Sequence, residues 1–454
     1  MDVPITSGVL ETTLGMLEKY TICDRCLGRQ FAWLGTDTSN EERGHSLKLI
    51  LCMIADEEIK SGDTDHGKNS ISILAGRGMF GPAQTIAERS SIEFQREDKC
   101  QLCSSNGQSI FDKIATIAKT ASEQTKDIEF DTFLVGTTAS PILDEMQDEL
   151  RAKFSLLYAE ALKSDFSREL GKYLQDLLEK EVDFERPHIV FLYDMIKDSV
   201  KLQINPIFIF GRYRKLVRGI PQSRWDCKDC GGKGCEKCHG TGRRYPDSIS
   251  EYIGVVAQRL TMGTRFKFHA AGREDIDVLM LGEGRPFVVE VSEPRIRNPD
   301  LKKLMKAINK HAKKRVEVND LHITNREHSQ KLKENASTNI KEYVAIIETK
   351  APMSTNDLER VERGFAGVEI EQRTPTRVSH RRSDLVRTKK IHEIRLKQLS
   401  ATRIEAFFKV QGGTYVKELV SGDDGRTVPS IAGVLDIDCI CKELTVKAVY
   451  GEQV

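Results

Sequence analysis

At 454 residues and 51.2 kDa, with 39% hydrophobic and 30% charged residues, the chain has apolar material for two or three cores, which excludes a disordered protein or a single small module. Its 69 Lys plus Arg stand against 68 Asp plus Glu, a net charge of +1 that conceals local segregation. No run approaches the roughly 18 consecutive apolar residues of a membrane span, and the N-terminus lacks a secretory pattern, so the expectation is a cytoplasmic protein without membrane contact; a monomer is a separate expectation, which these features do not decide.

In chain order, residues 1 to about 215 read as an accessory α/β region that opens with helical patterns around two cysteine pairs. FLVGTTAS and HIVFLYDM have the apolar, β-branched character of buried strands, and they flank a helical stretch from about Ile142 to Glu181. The run GRYRKLVR at 211–218 interleaves a tyrosine with basic residues, as RNA backbone contact plus base stacking requires. A Gly- and Cys-rich segment from Trp225 to Gly242 then gives way to an α+β pattern. There a helix from about Ser250 to Leu260 leads into the strand FKFHAAG. DIDVLML and PFVVEV follow, joined by a turn at Gly282-Glu283-Gly284 as an antiparallel hairpin, with further strands at EYVAIIET and RIEAFFKVQ.

Eight of the 11 cysteines fall into four C-x-x-C pairs, a spacing that suits metal ligation in a reducing compartment better than disulfides. Cys23, Cys26, Cys100 and Cys103 supply four thiolates that one zinc ion would join, closing the chain between them into a module. Cys227, Cys230, Cys235 and Cys238 form a dense knuckle whose glycines relieve backbone crowding. One or two structural zinc ions are therefore expected. The knuckle also resembles half of the cysteine-rich domain of J-domain co-chaperones, which leaves a zinc-dependent chaperone as a rival reading, and redox cysteines or an iron–sulfur cluster are others. Cys52, Cys439 and Cys441 read as apolar packing.

Two segments are strongly basic. Residues 295–317 hold nine Lys or Arg against two acids, with Leu301, Leu304, Met305, Ile308 and Ala312 at helical spacing, so Lys302, Lys303 and Lys306 lie on the cationic face of an amphipathic helix. Residues 373–397 again hold nine against two, in a loop that feeds a strand and carries Arg377, Arg381 and Arg382. These residues, with Arg273, are the expected RNA contacts.

Gly272-Arg273-Glu274-Asp275 resembles the G-R-x-D signature around the catalytic aspartate of pseudouridine synthases. Residues 268–278 with 282–287, Gln372 to Arg382, Lys341-Glu342-Tyr343-Val344-Ala345, and Gly413-Thr414-Tyr415-Val416-Lys417-Glu418 resemble one group among them. These are the archaeal-type tRNA pseudouridine synthases that act on T-loop uridines 54 and 55, the Pus-ten family. The resemblance implies a multidomain α+β protein. Its accessory part, residues 1–215, would carry a zinc site and a THUMP-like module at about 65–200; residues 216–454 would form a catalytic domain on a central antiparallel sheet, with the knuckle at 227–238.

The resemblance further implies tRNA as substrate, met at the T-loop and the acceptor end, and no redox or nucleotide cofactor, because the isomerisation leaves the oxidation level unchanged. Asp275 takes the nucleophile's position, with Asp277 two residues on along a strand and facing the same side. Tyr343 would pack on the target base, Tyr415 would line the pocket, and Lys417 would pair with the catalytic aspartate as a point charge. A zinc-containing tRNA-binding protein without catalysis is the principal alternative, and it would not require Asp275.

Overall fold

These periodicities resolve into two units, Met1–Ile204 and Asn205–Val454, in a computed structural model that describes residues 8–62, 64–105, 107–334 and 339–450. Among the described residues, no helix is long and apolar enough to cross a membrane.

In the first unit, Ser39 starts the helix Asn40–Ser61 with a capping box: its Oγ accepts from the Glu42 amide at 3.1 Å while the Glu42 carboxylate accepts from the Ser39 amide at 2.9 Å. This helix meets Asp24–Arg29 backbone to backbone. A Cβ on Gly28 would fall 1.8 Å from the Asn40 carbonyl, so glycine is required for the crossing. Further along, the strands Thr132–Thr138 and Ile189–Asp194 pair in parallel, with Glu181–Val182 on one side and antiparallel Ser199–Ile204 on the other. Phe133, Ile189, Phe191 and Tyr193 alternate inward to a core shared with Leu150, Phe166, Leu170 and Leu174. The helical stretch expected between these strands is two helices, Pro141–Phe154 and Leu162–Leu178, the first ending at Ser155 with a left-handed φ of 51°.

The second unit is built on one ten-stranded sheet. Its path runs Val316–Thr324, Ile207–Lys215, Leu279–Ser292, Cys439–Val449, Ile340–Thr349, Arg403–Gln411, Val386–Ser400, Glu369–Arg373 and Thr427–Val428, while Arg265–Ala270 pairs with Leu279–Ser292. All pairings are antiparallel except one: Cys439–Val449 meets the start of Leu279–Ser292 in parallel, with Thr445 opposite Leu279 and Val446 opposite Met280. The helix Ile249–Leu260, capped by Ser248, buries Ile249, Ile253, Val256 and Ala257 in this core; Leu301–His311, capped by Asp300, buries Leu304 and Ile308. Together the units are α+β and multidomain.

Three local expectations fail, each for a physical reason. Residues 282–284 make no hairpin turn, because one strand, Leu279–Ser292, runs through them. Tyr213 pairs with Arg285 but Lys215 with Met280, so the glycines absorb a bulge, and a Cβ on Gly282 would lie 1.9 Å from the Lys447 carbonyl. Asp275 and Asp277 are not on a strand but in the loop between Arg265–Ala270 and Leu279–Ser292. Finally, the basic run at 211–218 begins in a core strand that belongs to the second unit. The pleat buries Tyr213 and Lys215 completely, so neither is available to stack on RNA.

Candidate active site

The loop that carries Asp275 owes its shape to side chains that take over its backbone acceptors. Gly272 stands at a φ of 80°, which favours glycine. Arg285 Nη1 donates to the Ala271 carbonyl at 2.7 Å and Gln222 Nε2 to the Gly272 carbonyl at 2.9 Å. Buried Lys215 donates to the Ile276 carbonyl at 2.7 Å and more weakly to that of Asp275 at 3.2 Å. Beneath the loop, Glu274 is buried and fully engaged: Tyr213 Oη lies 2.9 Å from both of its oxygens and Arg285 Nε donates at 2.7 Å. This ion pair is enclosed by protein on every side, so losing either partner would strand a charge.

With Glu274 turned inward, Asp275 faces outward, its side chain 31% exposed. Arg377 Nη1 approaches Asp275 Oδ2 at 2.9 Å, and the same guanidinium donates from Nε to buried Glu418 at 2.6 Å. Burial works against the Arg377 charge, but Glu418 and Asp275 outweigh it and raise its pKa. Lys417 Nζ lies 2.7 Å from Asp277 Oδ2 and 3.8 Å from Asp275 Oδ2. Its principal partner is therefore Asp277, whose carboxyl is held below the ordinary range by Lys417 despite burial, which pushes the other way. The basic segment groups Arg377 with the RNA contacts, and the resemblance pairs Lys417 with the catalytic aspartate; the geometry makes Arg377 the nearer partner of Asp275.

Tyr343, from the strand Ile340–Thr349, and Tyr415, at the N-cap of the helix Val416–Ser421, face the same space. Burial, opposed by Arg285, pushes the Tyr343 phenol up to about 12, so it is a neutral hydroxyl at ordinary pH. Tyr415 is clamped through its backbone by Gln372, which accepts from its amide at 2.9 Å and donates to its carbonyl at 3.0 Å. Arg382 Nη1 donates to Tyr415 Oη at 2.9 Å. Asp275, Arg285, Lys341, Tyr343, Arg377 and Tyr415 line one cavity of about 490 Å³, floored by Val278, Leu444 and Val446 where the sheet has its parallel join. A cavity of this size, with apolar floor and charged wall, suits a single nucleoside.

Other expected residues lie elsewhere. Lys302, Lys303 and Lys306 are exposed on Leu301–His311, whereas Arg273 is an exposed residue of the cavity's own lining, with its guanidinium 5.1 Å over the Trp225 ring. The side chain of Arg381 lies outside the described residues. Sequence alone assigns no role to Glu274, Arg285, Glu418, Gln372 or Lys341, since their importance depends on partners distant in the chain.

Both cysteine sets converge, with the sulfurs of each within 4.8 Å of one another. Cys23 and Cys103 are 3.8 Å apart, and in the knuckle Cys227–Cys235 and Cys230–Cys238 are each 3.9 Å apart and Cys235–Cys238 3.6 Å. A tetrahedron of sulfurs bonded at about 2.3 Å has edges of about 3.8 Å, so both sets fit a metal such as zinc.

The family described as "Pus10, C-terminal" matches residues 208–450, and "Pus10 THUMP domain, archaeal" matches 117–194. The tRNA pseudouridine synthase Pus10 of Methanothrix thermoacetophila is 40% identical over 98% of this chain and 96% of its own length. That of Methanocaldococcus jannaschii is 41% identical over 96% and 93%. The chain belongs to the Pus10 family. As a Pus10 family member it is an isomerase, a pseudouridine synthase. The C-terminal Pus10 match contains every residue named above as lining the cavity, and the THUMP match contains the parallel strands of the first unit. Among solved structures, a chain of a Cbf5-Nop10-Gar1 complex is similar at 20% identity over 43% of this chain and 44% of its own, with a TM-score of 0.28.

Proposed function

We propose that the protein isomerises uridine to pseudouridine in the T-loop of tRNA, at position 54, 55 or both, with Asp275 as the initiating carboxylate. The observation that carries this reading is a half-exposed carboxylate at the wall of a nucleoside-sized cavity, held by Arg377 at 2.9 Å and facing the same space as Tyr343 and Tyr415. Asp275 either attacks the anomeric carbon or assists loss of the base through a glycal; in both routes Arg377 steadies its negative charge. Tyr343 packs on the base, and Tyr415 with Arg382 closes the cavity mouth. Lys417 holds Asp277 and adds positive potential at Asp275. The substrate follows from the relatives, which are named tRNA pseudouridine synthases, and the T-loop from the resemblance of the ordered motifs.

The target uridine must leave its stack, at a cost of roughly a few kcal/mol. Phosphate contacts by Arg273, Arg382, Lys302, Lys303 and Lys306 offset that cost, and the first unit, Met1–Ile204, recognises the acceptor end. Zinc at each cysteine set is structural. The decisive assay uses unmodified tRNA transcript and maps pseudouridine by carbodiimide-block primer extension, with wild type and Asp275→Asn side by side. Pseudouridine in the T-loop with wild type, and none with the folded variant, is the expected result. If Asp275→Asn retains activity the nucleophile is wrong, and if neither protein forms pseudouridine yet both bind the tRNA, it is a binding protein for that substrate.

A further inference from the structure

Four lysines of the described residues are buried, and three of them are satisfied. Lys48 donates to two carbonyls and the Asp24 carboxylate, Lys215 to two carbonyls, and Lys389 to the Gly412 carbonyl. The fourth, Lys341, is only 5% exposed, yet among the described residues its ammonium has no hydrogen bond and no ion pair. It precedes Tyr343 by two positions on the strand Ile340–Thr349, so the pleat turns both side chains to one face, and both line the cavity that holds Asp275.

The space before this ammonium is kept open by the backbone. A Cβ on Gly272 would stand 3.0 Å from Lys341 Nζ and 3.3 Å from Arg285 Nη1, so any larger residue would intrude between the cations. Arg285 is committed to Glu274 and the Ala271 carbonyl, which leaves Lys341 as the buried cation of the cavity wall with spare donor capacity, whereas Lys333 at the same cavity is exposed. The lysine is buried as a residue but its ammonium opens onto the cavity, and unpartnered charges so placed concentrate where a ligand supplies the missing partner.

We propose that Lys341 is a catalytic contact to the target base, its Nζ donating to a carbonyl oxygen of the uracil and holding that base as an anion once it has left the sugar. The inference rests on the cavity being the site of isomerisation. In that reaction the bond between N1 and C1′ breaks and its electron pair departs with the base, so negative charge spreads over N1 and the carbonyl oxygens. C5 then bonds to C1′, the C5 proton is lost to solvent and N1 takes up a proton, with no net oxidation. A cation at a carbonyl oxygen stabilises the separated anion more than the bound uridine, and therefore lowers the barrier rather than merely tightening binding.

Burial, reinforced by Arg285 and opposed by Glu274, lowers the Lys341 pKa to about 7. The charged form is the active one, so kcat/KM falls as pH rises through that value in the free enzyme. Lys341→Met should fold with thermal stability close to wild type, because the ammonium it removes makes no hydrogen bond or ion pair among the described residues and is replaced by an apolar chain of similar length. It should lose roughly 100-fold in kcat while tRNA affinity stays within about threefold. Its pH profile should lose the basic limb, and Lys341→Arg should recover part of the rate with the limb moved upward.

The test is single-turnover pseudouridine formation from unmodified tRNA transcript between pH 6 and 9, with tRNA binding and thermal midpoints recorded for each protein. A Lys341→Met protein that keeps a basic limb seen in wild type overturns the proposal. So does a Lys341→Met protein with near wild-type kcat, or one whose loss of rate follows a loss of stability. Asp275→Asn run in parallel separates the two readings. If it stays active, the site assignment fails; if it is dead while Lys341→Met is unimpaired, only this inference does.

Discussion

Arg377 faces two carboxylates, Glu418 buried behind it and Asp275 exposed in front, and its planar fork lets it serve both. Lysine keeps the charge but not the fork. Arg377→Lys is therefore expected to lower kcat about tenfold or more by loosening Asp275, with tRNA affinity little changed; single-turnover rates and filter binding measure the two separately. If affinity falls instead while kcat holds, Arg377 is an RNA contact, as its charge-rich surroundings in the sequence suggest. Glu274→Gln strands the Arg285 guanidinium, which is 1% exposed, and should cost about 3–5 kcal/mol in denaturant unfolding. At this scale the motifs make Asp275, Tyr343 and Tyr415 legible, because each stands in a recognisable short word. Glu418, Arg285 and Lys341 are not, since a charged residue's burial is set by neighbours far along the chain, and nothing beside Lys341 in the strand shows that Gly272 will open a space before it.

Among the elements, the strand Arg403–Gln411 and the helix Ile249–Leu260 lie where alternation and helical spacing put them, because their periodic signal is unbroken. The strand Leu279–Ser292 reads as a hairpin in the sequence because glycine spacing cannot distinguish a turn from a bulge pressed against a neighbour. The knuckle offers a test of its own. The backbone of Arg244 donates to the Trp225 carbonyl at 3.0 Å, and the guanidinium of Arg244 lies 5.2 Å over the indole that Arg273 also covers. The chain has two tryptophans, so Trp33→Phe leaves Trp225 as sole reporter. Chelation of a zinc-loaded protein should shift Trp225 emission to the red and free Arg273, slowing the reaction. Unchanged emission after complete metal removal would mean that the stack holds without the ion.

For the molecule as a whole, a net charge of +1 gives no general attraction to RNA, so binding must draw on local patches. Replacing Lys302, Lys303 and Lys306 with alanine should weaken tRNA binding and flatten the salt dependence by about one unit of log–log slope for each phosphate the helix no longer neutralises, while unfolding stays unchanged. A triple variant with the wild-type slope would remove this helix from the interface. The two-part organisation is visible in the alternation of patterns, but the ten-stranded sheet is not, because its order joins segments from both ends of the second unit.

The two cysteine sets differ in when they can be completed. The knuckle ligands, Cys227 to Cys238, leave the ribosome almost together, so that site can close as soon as it is made. Cys23 and Cys26 must wait for Cys103, with the helices from Asn40–Ser61 to Gly81–Arg89 synthesised in between. The first unit therefore passes through an interval in which two thiolates are exposed without their partners. During translation its N-terminal part is open to oxidation or to a wrong metal in a way that the knuckle, made later, never is.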